Sequence, residues 1–341
     1  MWDVKKEKYN VAIIGATGVV GREMIEIMEE REFPVGELRL LASEKSVGEE
    51  ISWHGKPVKV KLAEEKQFEG MDLVMGDTPT EVSKKFAPMI TKQGGIMIDC
   101  SSAFRMQEGI PLVVPEVNGH ALTKHHGIIA GPNCSAIPIA VAVKPIHEKY
   151  RVKRMVISTY QSASGAGKGG IDELAEQTRG LFNQQDLIIK VFPWRLAFNV
   201  IPHIDSFLPD GTTKEEAKII EELQKMLEAS EMGITVTAVR VPVFCGHSAA
   251  VNLETEKKAT PDQVRALLKE SEGIILRDNP LKKEYPLPID AAGRDEVYVG
   301  RIREDKSIPN GINLWVAADN LRKGAALNAV QIAELLIEKY L

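Results

Sequence analysis

The stretch that decides the fold is Val11-Ala-Ile-Ile14-Gly15-Ala-Thr17-Gly18-Val19-Val20-Gly21-Arg22. Four apolar residues in a row read as a buried strand, and three glycines at i, i+3 and i+6 read as a tight turn. Beyond them Met24, Ile25 and Met28 recur with helical spacing. A glycine-rich turn between a strand and a helix lets backbone N–H groups approach a pyrophosphate that the helix N-terminus also attracts. The spacing is GxxGxxG rather than GxGxxG, so by itself it also suits a turn made glycine-rich for packing. Working outward, strands are expected at Leu38 to Ala42, Leu73 to Met75, Ile96 to Ile98 and around Val113 and Val114. Their alternation with helices predicts a doubly wound parallel sheet of the Rossmann type.

After the second strand comes Ser43-Glu44-Lys45-Ser46. An NAD site often places a carboxylate there for the ribose 2′-hydroxyl. Two hydroxyls and an ammonium suit a 2′-phosphate better, which favours NADP, although Glu44 is an unhelpful neighbour and an ordinary surface turn reads the same way.

The chain has 341 residues, 44% hydrophobic and 27% charged, enough for about two domains. With 43 basic and 48 acidic side chains its net charge is -5, which gives no footprint for nucleic acid. No apolar run approaches the roughly 20 residues that a membrane span needs, and no signal peptide is read. The three cysteines, Cys100, Cys134 and Cys245, form no CxxC pair, and the histidines show no metal-binding spacing. No metal site is therefore expected, and a reducing cytoplasm fits best.

Beyond Cys134 the texture changes. Strands are expected at Arg154 to Tyr160, Thr235 to Val243 and Ala249 to Glu254, with helices at Thr213 to Ala229 and Asp262 to Lys269. That predicts a second, α+β domain. The boundaries expected are 1–133, joined by a C-terminal helix 322–341, for the nucleotide-binding domain, and 134–321 for the catalytic domain.

Gly131-Pro-Asn133-Cys134-Ser135 precedes the apolar run Ala136 to Val143, which places a thiol at a helix N-terminus, where thiolate is stabilised. An unshifted thiol of pKa near 8.5 is only about 3% ionised at pH 7, so a modest shift matters. A buried core cysteine is the competing reading, and Cys100 and Cys245 are left in that class. His247 falls in Arg240 to Ser248, read as a strand that breaks at Gly246 and delivers the imidazole at its end, and is a candidate acid/base or a structural histidine. Gln161 opens a glycine-rich loop, Ser162 to Gly170, whose flexible backbone suits a flat ligand but lacks the P-loop pattern. Thr213-Lys-Glu215-Glu216 resembles a capping box, which would set Glu215 and Lys218 three apart on one helix.

Together with Ser101-Ser-Ala-Phe-Arg105, Val113-Val-Pro-Glu-Val-Asn118, Ala197 to Asp205 and Asp319 to Asn328, these segments resemble the aspartate-semialdehyde dehydrogenase family along nearly the whole chain. The resemblance implies a second domain of the glyceraldehyde-3-phosphate-dehydrogenase-like catalytic and dimerisation type. It implies Cys134 as nucleophile, His247 as acid/base and Gln161 as the residue orienting substrate. Arg105, Asn133 and Lys218 would take phosphate, and Glu215 and Arg240 the substrate's amino and carboxylate groups. NADP would be held by Gly15, Thr17, Gly18, Val19, Val20, Gly21, Ser43, Lys45, Ser46, Ser164, Gly165 and Asn320. The family often has Arg where this chain has Lys45.

The activity implied is NADPH-dependent reductive dephosphorylation of L-aspartyl-4-phosphate, toward lysine, threonine and methionine. Partners would be small-molecule substrates and a second copy in a homodimer, or a tetramer. Two other readings are weighed: an N-acetyl-glutamyl-phosphate reductase, and a cofactor-free cysteine hydrolase built on Cys134 and His247.

Overall fold

The computed structural model describes residues 6–341, which divide into two compact units. One comprises residues up to Asn133 together with Ala325–Leu341; the other is Cys134–Gly324.

In the first unit, β1 (Tyr9–Ile14), β2 (Val35–Ala42), β3 (Glu50–Trp53), β4 (Lys56–Leu62), β5 (Leu73–Gly76), β6 (Ile96–Asp99) and β7 (Ile128–Ala130) form a sheet in the order β3-β4-β2-β1-β5-β6-β7. All neighbours pair in parallel except β3 on β4. The central strands are apolar on both sides because helices cover both faces. Val11, Ile13, Leu73, Met75, Ile96 and Ile98 share one core with Met24, Ile27 and Met28 of the helix Val19–Glu30, and with Val330, Ile332, Ala333 and Leu336 of the helix Leu327–Lys339. On the chain, that last helix lies some 200 residues from the rest of this core. Leu336 is wholly buried. Leu336→Ala is expected to destabilise this unit by about 2–5 kcal/mol, read from denaturant unfolding.

Val113 and Val114 form no strand. Only Leu112 bridges to Ala130, and Asn118 then closes a tight turn, accepting from the Val114 N–H at 2.9 Å and donating to the Leu112 carbonyl at 2.8 Å. The proline at 115 starts a short helical turn and ends any extension.

In the second unit, β8 (Val152–Gln161), β9 (Gly233–Arg240), β10 (His247–Thr255), β11 (Ile274–Leu276), β12 (Val297–Asp305) and β13 (Gly311–Ala318) are ordered β11-β12-β13-β10-β8-β9. The helix Ala136–Tyr150 lies against β10, β12 and β13, and the helices Lys214–Met226 and Pro261–Lys269 pack beside it.

Four expectations need correction here. The strand expected over Thr235 to Val243 stops at Arg240. His247 begins the next strand instead of ending one, because Gly246 turns the chain at φ 87°, with its N–H donated to Asn320 Oδ1 at 3.0 Å. The segment after Gln161 is not an open loop: Ala163–Ala166 makes a 3-10 turn and Gly167–Phe182 a helix. The C-terminal helix starts at Leu327, after a π-helical turn over Arg322–Ala326.

Candidate active site

Strand direction gathers the site in the second unit. β8 and β9 run parallel, with Gln161 level with Arg240, so both end at the same edge. β10 is antiparallel to β8 and starts there with His247, while β13 is antiparallel to β10, so that Ala318 pairs with His247 and Asn320 follows two residues on. Four strand ends therefore deliver Gln161, Arg240, His247 and Asn320 to one place. All four side chains are buried.

Hydrogen bonds fix each of them. Gln161 donates its amide N–H to Glu215 Oε1 at 3.0 Å. Glu215 is held in the first turn of its helix by a complete capping box, in which Thr213 and Glu216 exchange side-chain and backbone bonds. Arg240 donates from Nη1 to the Ser162 carbonyl at 2.7 Å, and its guanidinium sits 5.8 Å from the Phe192 ring centroid. Burial pulls the Arg240 pKa down, while Cys134 and Glu215 act electrostatically to raise it, so these two groups face a cation. For His247, burial first and the Arg240 charge second hold the imidazole well below its ordinary range.

Cys134 is half-buried, two residues before the helix Ala136–Tyr150. A side chain at Gly324 would place its Cβ 3.1 Å from Cys134 Cβ, so glycine lets the π-helical turn pack against the thiol-bearing residue. Gly165 plays the matching part opposite: a Cβ there would lie 2.8 Å from Arg240 Nη1 and 3.1 Å from His247 Nε2. Gly165→Ala is expected to raise the KM for semialdehyde several-fold with the fold retained, which steady-state kinetics beside circular dichroism checks. An unchanged KM would mean that this space is not used.

Lys218 lies one turn from Glu215, yet the two do not pair: Glu215 bonds Gln161, and Lys218 Nζ lies 2.6 Å from Asp205 Oδ2. Burial alone would raise the Asp205 pKa, but the bonds from Lys218 and the Ser206 N–H outweigh it and lower the net value.

In the first unit, the glycine turn sits at the switch point, where the order β2-β1-β5 sends the chain to opposite sides of β1. Gly15 has φ 81°, and a Cβ on it would meet the Asp77 carbonyl oxygen at 2.8 Å. The first bond back along the helix is Arg22 N–H to the Gly18 carbonyl, so the N–H groups of Val19, Val20 and Gly21 belong to the helix end that an anion satisfies. Thr17 Oγ1 donates to Ser46 Oγ at 3.2 Å, tying this turn to the short 3-10 segment Glu44–Ser46, beside the exposed Ser43 and Lys45. A glycine cradle of this shape fits a dinucleotide pyrophosphate. Arg105 and Asn133 are buried elsewhere in the same unit. Arg105 donates to the Gly131 carbonyl at 2.9 Å and the Cys100 carbonyl at 2.7 Å.

Among the described residues no group of three or more His, Cys, Asp or Glu side chains is arranged to hold a metal ion, and no helix is long and apolar enough to cross a membrane. In the sequence Ser162 is only the first residue of the segment after Gln161, with no role of its own. The structure puts its N–H 3.1 Å and its hydroxyl 3.0 Å from His247 Nδ1. Nothing in its residue type announces that contact; only the pairing of β8 with β10 creates it.

Known proteins place these features in a class. The semialdehyde dehydrogenase NAD-binding domain family matches residues 10–125, and the semialdehyde dehydrogenase dimerisation domain family matches residues 143–323. Both units thus match families of the semialdehyde dehydrogenase class. An aspartate-semialdehyde dehydrogenase of Aquifex aeolicus is 49% identical over 335 residues, 97% of this chain and 98% of that one, and one of Bacillus subtilis is 43% identical over 335 residues, 96% and 97% of the two chains. Crystal structures of aspartate semialdehyde dehydrogenase II from Vibrio cholerae, one of them complexed with ASA, superpose with a TM-score of 0.96 at 47% identity, covering 98% of this chain and 100% of theirs. The chain belongs to the aspartate-semialdehyde dehydrogenase family.

Proposed function

We propose that this enzyme reduces L-aspartyl-4-phosphate to L-aspartate 4-semialdehyde with NADPH, reversibly, through an acyl thioester on Cys134. The convergence of Gln161, Glu215, Arg240 and His247 at one sheet edge, with Cys134 electrostatically coupled to Arg240, is the observation that carries this reading.

A carboxylate resists reduction, so the substrate arrives activated as an acyl phosphate. Thiolate at Cys134 exchanges phosphate for a thioester of similar activation. Arg240 favours that thiolate and then takes the substrate carboxylate, for which a planar guanidinium is suited. Glu215, fixed by its bond from Gln161, takes the amino group, and Gln161 orients the acyl chain. Arg105, Asn133 and Lys218 take the phosphate, Lys218 exchanging its bond to Asp205 for one to the anion. When bound, NADPH supplies the hydride that reduces the thioester carbon.

Gly15, Thr17, Gly18, Val19, Val20 and Gly21 would hold the pyrophosphate. Ser43, Lys45 and Ser46 would read the 2′-phosphate, and Ser164, Gly165 and Asn320 the nicotinamide end. The test is phosphate-dependent oxidation of aspartate semialdehyde with NADP and NAD side by side. Faster reduction of NADP is expected, and Lys45→Glu should narrow that preference. Preference for an N-acetylated glutamate semialdehyde would overturn the substrate assignment. Ester cleavage without cofactor, lost in Cys134→Ser, would favour a hydrolase.

A second copy of the chain is the proposed partner. Phe182, Trp194, Phe198 and Phe207 are each more than half exposed in the second unit, an apolar display that an isolated soluble chain seldom carries. Glu173 and Gln177 shape part of it: their side-chain oxygens accept backbone N–H groups of Lys190, Val191, Leu196 and Ala197 at 2.6–3.1 Å. Phe198→Asp is expected to convert dimer to monomer in analytical ultracentrifugation. An unchanged mass would place the interface elsewhere.

A further inference from the structure

We infer that Phe192 is a positioning residue: its ring holds the Arg240 guanidinium in the orientation that takes the substrate's carboxylate. The inference deepens that carboxylate role and rests on it.

Arg240 ends β9 with a long, flexible side chain, and a guanidinium grips a carboxylate by two parallel N–H bonds only when its plane is fixed. One hydrogen bond, from Nη1 to the Ser162 carbonyl at 2.7 Å, pins a single corner and leaves the plane free to swing about it. The second hold is the ring of Phe192, whose centroid lies 5.8 Å from Arg240 Cζ with the cation over its face. Attraction between a cation and a ring face acts at this range and strengthens where water is excluded, and both residues are buried. The choice of a ring matters. A carboxylate at this place would bond the N–H edge that the substrate needs, whereas a ring attracts the cation and leaves that edge to the ligand.

Phe192 is in turn built into a strap. Residues 183–200 form no helix or strand, so their backbone N–H groups need partners outside a regular ladder. Two side chains of the helix Gly167–Phe182, four residues apart and so on one face, supply them. Glu173 Oε2 accepts the N–H groups of Lys190 at 2.9 Å and Val191 at 2.6 Å, and its Oε1 that of Phe192 at 3.4 Å. Gln177 Oε1 accepts from Leu196 at 2.9 Å and Ala197 at 3.1 Å, while its amide donates to Glu173 Oε1 at 3.0 Å. The same helix makes room for the ring: a Cβ on Gly170 would stand 3.0 Å from Phe192 Cζ. Ala163, Leu174, Leu196, Ala197 and Ile201 pack with the ring in a small buried cluster. At Ile201 the strap meets the arginine a second time, since Ile201 and Arg240 exchange both backbone bonds, at 2.9 and 2.8 Å. One segment thus fixes Arg240 at its backbone and at the tip of its side chain.

The gain is in binding. The carboxylate lies away from the reacting carbon and carries the same charge before and during the chemistry. An Arg240 that swings loose therefore weakens substrate and transition state alike, raising KM with little change in kcat.

The test replaces Phe192, in the full chain, by leucine and by phenylalanine fluorinated at both meta positions, which withdraws charge from the ring face and nearly keeps its shape. KM for aspartate semialdehyde is expected to rise about threefold in the fluorinated chain and about tenfold in Phe192→Leu, with kcat and the KM values for phosphate and NADP within about twofold of wild type. The fluorinated chain should unfold thermally with the wild type. If it keeps the wild-type KM, the charge of the ring is irrelevant and the inference falls, whatever the leucine variant does. A KM that rises only together with a lower unfolding temperature would mark Phe192 as packing alone and overturn it too. The carboxylate role of Arg240 has a separate readout: calorimetric titration of aspartate semialdehyde into Cys134→Ala, which cannot form the thioester, and into the same chain carrying Arg240→Leu. Equal affinities would remove that role, and the positioning role with it. A weaker affinity with Arg240→Leu, beside a KM untouched by fluorination, would leave Arg240 its role and overturn only that of Phe192.

Discussion

Cys134→Ala is expected to lower kcat for phosphate-dependent semialdehyde oxidation on the order of 10⁴-fold or more, the scale on which loss of a covalent nucleophile is felt. The reason is local. Only a sulfur at this position combines a helix N-terminus two residues ahead, the electrostatic support of Arg240 and the close approach permitted by Gly324. Cys100 is no substitute: it is buried, and burial first, with nearby acidic groups, pushes its thiol well above the ordinary range. Binding of the cofactor, followed by the fluorescence of added NADPH or by calorimetry with NADP, should persist in the variant, because the glycine turn belongs to the other unit. Retained turnover would show that the sulfur is not the acyl carrier. Lost cofactor binding would show that the two functions are not separable.

The converse lesion is Gly21→Ala. A Cβ at this position would stand 2.2 Å from the Gly15 carbonyl oxygen and 2.8 Å from the Ala16 Cα, both backbone atoms that no side-chain rotation can clear. The helix Val19–Glu30 must then withdraw from the turn, at about 1–3 kcal/mol of overpacking. The N–H groups aimed at a pyrophosphate move with it. Losing even one charge-assisted bond of about 1.5–3 kcal/mol weakens NADP binding roughly tenfold or more. Titration calorimetry reads the affinity, and thermal unfolding reads the packing cost. An affinity within experimental error of the wild type would mean that the pyrophosphate lies elsewhere.

The first unit was largely legible because its strands are continuous apolar runs and its turn is spelled in glycines, both short-range signals. The hairpin of β3 and β4 left no comparable trace: Glu50, Ser52, Lys56, Lys59 and Lys61 line strands at the sheet margin, where one face meets water. In the second unit the sequence signals of β12 and β13 are weaker. The alternation of Ile312, Leu314 and Val316 with Asn313 and Trp315 was there to be read, but Gly300 and the register shift that follows it blur β12. The site shows the same division. Cys134, Gln161 and His247 are chemically conspicuous residues in quotable segments. Ser162 and Gly324 matter only through what lies across from them, and composition carries no record of distance.

The helix Leu327–Lys339, with Ala326 just before it, completes a core whose other buried members precede residue 130. During vectorial synthesis on the ribosome, the nucleotide-binding half therefore waits, with Met24, Ile27 and Met28 lacking their final cover, until the catalytic half has been translated. A nascent chain arrested anywhere before the mid-320s holds this apolar surface open to chaperones and proteases. Quality control thus meets either a finished molecule or a conspicuously unfinished one.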